Sequence, residues 1–363
     1  VLYDLALLDQ IVFTVIEVPS EDLAFTFFDT QNNRGVPLNA TDLLKAHHLR
    51  AITDHNGTGD ALQEECAKRW EALQGKEQIL RQGSDFAPTL FGQFLWRARR
   101  WTGQNKLSRE THEDIIAEFQ ERSLSAASPD TVPLFGSHSN RLATQLTLTP
   151  GRGYSLSLQT DQAGAPSAVN LPFAIRQPIY EGIGFFLFAE KYTALIAQLL
   201  KDDHPDPEIH AFARFYREVI ADLSVYLREL FLLASAIYVD QFGSRQLLQF
   251  ALWLDHVLGA IRIKKAYIFR SAPLIFLRES ENNLLDVIVS AYRPEDVINW
   301  LKTARIDRES TATEVYAKKD LQLGNGVRSQ YKQRVLDYYG RHDGNLDDKA
   351  QWIEEWVQKA VAS

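Results

Sequence analysis

Little in this sequence points to an extracellular or membrane setting. A single cysteine, Cys66, among 363 residues excludes a disulfide framework and fits a reducing interior. No uninterrupted apolar run is long enough to span a bilayer and no secretory signal precedes the first apolar segment, so a cytoplasmic chain with no membrane partner is expected. Positive charge is scarce as well: 39 Lys and Arg against 47 Asp and Glu leave a net charge of −8. There is therefore no global basic field, and any contact with nucleic acid must come from a local patch. Gly-x-Ser-x-Gly, Walker-type and dinucleotide-binding patterns are all absent, which removes the commonest hydrolase and nucleotide signatures. Methionine is missing altogether, initiator included, although a chain this rich in Leu, Phe and Ile would ordinarily carry several. What is present is apolar mass. With 45% hydrophobic residues, the chain can bury a sizeable core and is long enough for two domains.

The most informative stretch runs from Pro19 to Lys45. Ile11 to Val18 is β-branched and of strand length, and Pro19 stops it because proline cannot donate to a ladder. Ser20 then caps a predicted helix whose first turn carries Glu21 and Asp22, with Leu23, Ala24, Phe27 and Phe28 as its apolar face. Asn32-Asn33-Arg34-Gly35 breaks that helix, since Asn and Gly tolerate positive φ, and Pro37 resists its continuation. A second helix follows directly. Asn39 with Asp42 has capping-box spacing, and Leu38 with Leu43 has that of a hydrophobic staple. A turn held between two ordered elements and carrying a guanidinium and two amides suits a phosphate or carboxylate. Asp42 and Lys45 share a face of the second helix, three residues apart. A solvated surface turn and an ordinary exposed ion pair are the plainer reading of the same residues.

Ala24-Phe25-Thr26-Phe27-Phe28-Asp29-Thr30-Gln31-Asn32-Asn33-Arg34-Gly35, with Leu38 and Asp42-Leu43-Leu44-Lys45 after it, resembles the AFxxFxxxNxRGxxLxxxDLLK segment of the N-terminal, ParB/sulfiredoxin-like domains of GmrSD-type modification-dependent restriction proteins. Looser similarity continues through Arg176-Gln177-Pro178-Ile179, Gly182 to Phe186, Tyr192, Tyr238 to Gly243 and the helix carrying Arg262. The resemblance implies a bacterial phage-defence protein that binds a nucleoside triphosphate with Mg and acts on DNA, alongside a nuclease domain or subunit. It assigns nucleotide or phosphate binding to Asn33, Arg34, Gly35, Asp42 and Lys45. The Asp-Gly-Gln-Gln-Arg signature that should carry the nucleotide chemistry is absent; Asp240-Gln241-Phe242-Gly243-Ser244-Arg245-Gln246 has similar letters in another order and reads as a turn between helices. Because the chain opens at Val1 inside an apolar run, the first part of that domain is expected to precede it. A non-catalytic helical interaction or regulatory module that keeps the family scaffold is the alternative.

The expected fold is mainly α with an α+β component: part of a ParB/sulfiredoxin-like α/β domain with helices in residues 1–122, an irregular linker in 123–170, and a helical domain in 171–363. Before the linker, helices are predicted from Thr58 to Gln74, Ser84 to Thr102 and Ser108 to Arg122. The linker is rich in Ser, Thr, Gly and Pro, with a short hairpin allowed between Leu142 and Leu158. Beyond it, helical spacing runs over Arg176 to Leu200, Pro207 to Tyr238, Gly243 to Arg270, Leu284 to Ser290 and Pro294 to Ala304, and two amphipathic helices carry Arg334 to Tyr339 and Trp352 to Val357.

Other candidate sites are weaker. Arg262, Lys264, Lys265 and Arg270 form a basic helix, the better candidate for nucleic-acid contact in an acidic chain, although a solvated helix face is the plainer reading of them. Arg97-Ala98-Arg99-Arg100-Trp101 reads as cationic stems packed along a core. His47 and His48 point about 100° apart on a helix, and His204 and His210 lack ligand spacing, so no metal site is expected. Asp347-Asp348-Lys349 reads as the cap of the helix before Trp352.

Overall fold

The computed structural model describes residues 39–53, 59–74, 86–126, 128–135, 144–149, 153–158, 167–279, 282–318, 326–341 and 344–362, with four single positions before residue 39. The strand expected at Ile11–Val18, the helix after Ser20 and the turn at Asn32–Pro37 lie outside the described residues. What is described is mainly helical, and the α/β part of the expected N-terminal domain is not among it.

Four helical stretches precede the 123–170 region: α1 (Ala40–Arg50), α2 (Gly59–Gln74), α3 (86–100) and α4 (112–121). Both α3 and α4 contain wide π winding, at Thr89–Trp96 and Ala117–Glu121. The allowed hairpin is present as β1 (Thr144–Thr149) and β2 (Gly153–Leu158), antiparallel, with Thr149 opposite Gly153. After it come α5 (Ile183–Leu199), α6 (Pro207–Glu218), α7 (Val225–Phe242), α8 (Leu247–Lys264), α9 (Ala272–Glu279), α10 (Leu284–Ser290), α11 (Pro294–Thr303), α12 (Ala312–Tyr316), α13 (Val327–Tyr338) and α14 (Lys349–Ala362).

Local chemistry sets most of the helix starts. Asp206 accepts from the Glu208 amide with Pro207 at the first helical position of α6, Thr111 and Thr311 each form a full capping box, and Asn283 accepts from the amides of Leu285 and Asp286. Gly182 enters α5 at φ +67°, where a side chain would be strained and a Cβ would lie 3.2 Å from Ile52. Gly243 (φ 65°) ends α7.

The continuous helix expected from Pro207 to Tyr238 is instead two helices. The chain leaves α6 at Val219, makes a single 3-10 turn over Ile220–Asp222 and enters α7 through extended Ser224. No Gly or Pro marks the break; Val219, Ile220 and Leu223 are all buried by it, so apolar burial here outweighs helix continuation.

α8 forms the axis of the helical body. It is apolar nearly all round and buried along almost its whole length, and α6, α7, α11, α12, α13 and α14 all pack on it. α7 in turn meets α5, α9 and α10. At the other end an aromatic cluster of Trp70, Phe91, Phe119, Phe185 and Phe186 binds α2, α3, α4 and α5 together, with Phe91 stacked on Phe185 at 5.1 Å. One contiguous core joins the helices on both sides of the 123–170 region.

Candidate functional site

α1 carries the two described residues of the predicted phosphate site. Its entry is fixed by Asn39, whose side chain accepts from the Asp42 amide at 3.0 Å; this is the N-cap side-chain half of the expected capping box. Thr41, Leu44 and His48 face the core. The His48 ring stacks on Phe185 at 3.8 Å and its Nε2 lies 2.8 Å from the Phe119 carbonyl. Burial, with a smaller contribution from neighbouring His47, pushes the His48 pKa down to about 3 against the pull of that carbonyl, so the imidazole is neutral. His47 points away towards Glu181, 3.4 Å off. Lys45 pairs with Glu71 of α2 at 3.6 Å, so α1 is tied laterally as well as inward. Asn33, Arg34 and Gly35 lie outside the described residues.

The looser family-like residues, far apart in sequence, meet in space. Tyr192 donates to Asp240 (3.0 Å), the Ile175 amide donates to the same carboxylate oxygen (3.1 Å), and Arg99 reaches the carbonyls of Ile175 and Gln177 at 2.8 and 2.6 Å. Lys191 forms an ion pair with Asp240 at 2.6 Å and donates to the Phe173 carbonyl. Arg176 donates to the Ala98 carbonyl and to Asp286. Together these contacts clamp residues 173–177 onto α3, α5 and α7. A cleft of about 170 Å³ opens beside them, with Lys191 and Asp240 at its wall and His204 and Asp206 at its rim. Because lysine and carboxylate already neutralise each other there, the arrangement acts as a structural clamp and offers no spare charge to a ligand.

The predicted basic helix is divided by the fold. Arg262 is buried and donates to the carbonyls of Lys265 and Ala266, closing the end of α8. Lys264 pairs with Asp307 at 2.7 Å. Lys265 is half-buried, and Arg270 is exposed in the α8–α9 connection, where its Nε donates to the Tyr226 hydroxyl at 3.2 Å. The Arg97–Trp101 segment packs inward as read: Arg97 holds Glu110 and Glu229 (2.6 and 3.0 Å) and covers Trp101, while buried Glu118 receives Arg99, Arg100 and Arg122.

Sequence reasoning missed the most deeply buried charge. Lys349, read as part of a helix cap, is 0% exposed, and its ammonium lies 2.7 Å from the equally buried Asp255 carboxylate of α8. The hydroxyls of Tyr331 and Tyr316 complete its shell at 3.0 and 3.2 Å, and Tyr331 also donates to Asp255 at 2.7 Å. Burial pushes the Lys349 pKa down while Asp255 pulls it back up. Gly259 makes room for the two phenols, since a Cβ there would sit 1.8 Å from the Tyr331 hydroxyl. Nothing local announces the cluster, because its members come from four separate helices. Burial and the Lys349 charge push neighbouring His256 down to about 3, and burial raises the Cys66 thiol to about 11, so neither is poised for catalysis near neutral pH. Among the described residues no three His, Cys, Asp or Glu side chains gather as a metal site, and no helix is long and apolar enough to cross a membrane.

No curated protein and no solved structure matches the chain. A model described as a family of unknown function (DUF7834) matches residues 62–316, from α2 through α12. The match takes in Arg97, Glu118, the Lys191–Asp240 clamp and Asp255, and since it spans more than half of the sequence, the chain belongs to the DUF7834 family.

Proposed function

We propose that this chain is a cytoplasmic component of a GmrSD-like bacterial defence system, binding a nucleoside triphosphate with Mg, directed to DNA and working with a nuclease domain or subunit. Asn33, Arg34 and Gly35 form the phosphate-facing turn, with Asp42 and Lys45 on the helix that follows. The observation that carries this reading is the Ala24–Lys45 block, in which polar turn, helix cap and charged face occur in the family's order. The seating of α1 supports it: with Asn39 capping, Leu44 and His48 in the core and Lys45 tied to Glu71, the chain enters α1 at a fixed point.

The test is isothermal titration of the chain with ATP and with GTP, each with Mg²⁺. Arg34→Ala should weaken binding about tenfold or more, the loss of a charge-assisted hydrogen bond to phosphate, with the melting temperature nearly unchanged. A large drop in melting temperature with binding unaltered would make Arg34 a structural residue.

A helical interaction or regulatory module is favoured by a different observation. Arg97, Glu118, Lys191 and Lys349 are all matched to opposite charges inside the protein, as suits a rigid scaffold. Absence of any heat of nucleotide binding in the unmodified chain would select that reading.

A further inference from the structure

A cleft of about 430 Å³ opens between α3, the α3–α4 connection, the start of α7 and the α8–α9 connection. Three arginines and two glutamates line it, so it carries a positive excess within a protein of net charge −8. Arg97 is closed off at its back, holding both carboxylates: Glu110 through two hydrogen bonds of 2.6 and 3.0 Å, and Glu229 at 3.0 Å. The remaining two guanidinium groups, Arg109 and Arg270, flank Tyr226. Arg109 lies over the Tyr226 ring at 5.7 Å, and Arg270 donates to its hydroxyl at 3.2 Å. Among the described residues neither is paired with a carboxylate.

Two polar atoms in this cleft are buried without a hydrogen-bond partner, Arg109 Nε and Ser224 Oγ. A desolvated donor left without a partner is unfavourable, and an oxyanion held between Arg109 and Arg270 would supply one. The α8–α9 connection adds a second element. Ile268 and Arg270 line the cleft, and their chain neighbours Tyr267 and Phe269 stand 77% and 70% exposed. Paired cations that grip phosphate, next to exposed aromatic rings that accept stacked bases, are the two parts of a single-strand binding surface.

We infer that this cleft binds single-stranded nucleic acid, with Arg109 and Arg270 holding a backbone phosphate across Tyr226 and with Tyr267 and Phe269 stacking the flanking bases. The inference rests on the DNA-directed reading above and specifies the form of strand recognised and the residues that hold it. It uses no residue of the Arg34 turn. Duplex DNA presents no unstacked base to Tyr267 or Phe269 and should bind more weakly.

Fluorescence anisotropy of the chain with a labelled oligo(dT) of about 12 nucleotides tests it, beside a duplex of equal length and inorganic phosphate as competitor. Expected are preference for the single strand, affinity falling with salt, and losses of about tenfold or more for Arg109→Gln/Arg270→Gln and for Tyr267→Ala/Phe269→Ala. Tyr267, Phe269 and Arg270 are exposed, so the aromatic pair and Arg270→Gln alone keep the test valid should Arg109→Gln fold poorly. No oligo(dT) binding, or binding that all these variants retain, overturns the inference. Duplex binding without single-strand binding overturns it too, yet leaves the DNA-directed reading standing. Single-strand binding in a chain that takes up no ATP or GTP sustains the cleft and removes the nucleotide-dependent reading.

Discussion

Lys349 opens α14 with a side-chain nitrogen that no solvent reaches, enclosed by the Asp255 carboxylate and two phenols. A buried pair of this kind is costly to break and often cheap to replace as a whole, because each member's desolvation is offset only by the other. Lys349→Met, which strands the Asp255 carboxylate, should therefore cost about 3–5 kcal/mol, read as a shift of the urea midpoint. The double variant Lys349→Met/Asp255→Leu should recover most of that loss. A double variant as unstable as the single one would show that the ion pair itself, and not its desolvation, holds the four helices. Arg97 with its two glutamates and Glu118 with its three arginines obey the same logic nearer the surface, where partial hydration lowers the stakes.

At the scale of elements, capping and packing divide the work. The starts of α1, α6, α10 and α12 are written in single residues: Asn39, Asp206, Asn283 and Thr311 each satisfy orphan amides. Asn39→Ala should destabilise α1 by about 1 kcal/mol and should speed hydrogen exchange in its first turn, with α8 unaffected. Equal acceleration in both helices would mean that α1 opens only with the whole body. The α6–α7 break is the contrary case, where no punctuating residue is present and buried Val219, Ile220 and Leu223 set the geometry. Its consequence reaches the candidate nucleic-acid cleft, since the restart at Val225 presents Tyr226 to Arg109 and Arg270.

For the whole molecule, two imidazoles link stability to acidity. His48 and His256, at opposite ends of the core, both have folded pKa values near 3 against an ordinary 6.5. Between those values the unfolded chain takes up protons that the folded chain refuses, so stability must fall as pH drops below about 6.5. Each imidazole should contribute a slope approaching about 1.4 kcal/mol per pH unit, fully developed by about pH 5.5. Urea unfolding at intervals between pH 7 and 5 checks this, and His48→Gln/His256→Gln should flatten the dependence. A stability constant across that range would mean that both rings take up protons in the folded protein as readily as in the unfolded chain.

Read alone, the sequence determined the helical class and most helix positions and allowed the hairpin, because periodicity, caps and turn residues are local properties of the chain. It also identified Arg97–Trp101 as packed stems. It did not indicate which charges would meet. Lys349 finds Asp255 across 94 residues and Arg176 finds Asp286 across 110, pairings decided by which helix faces come together. The same packing turned Arg262 inward, left Arg270 outward and brought Arg109 beside Tyr226, so that the basic helix visible in sequence was divided and a different cationic cleft was built. Residue type sets what a side chain can bond. Only tertiary structure sets what stands within reach, because partner choice depends on distance in space while periodicity records only distance along the chain.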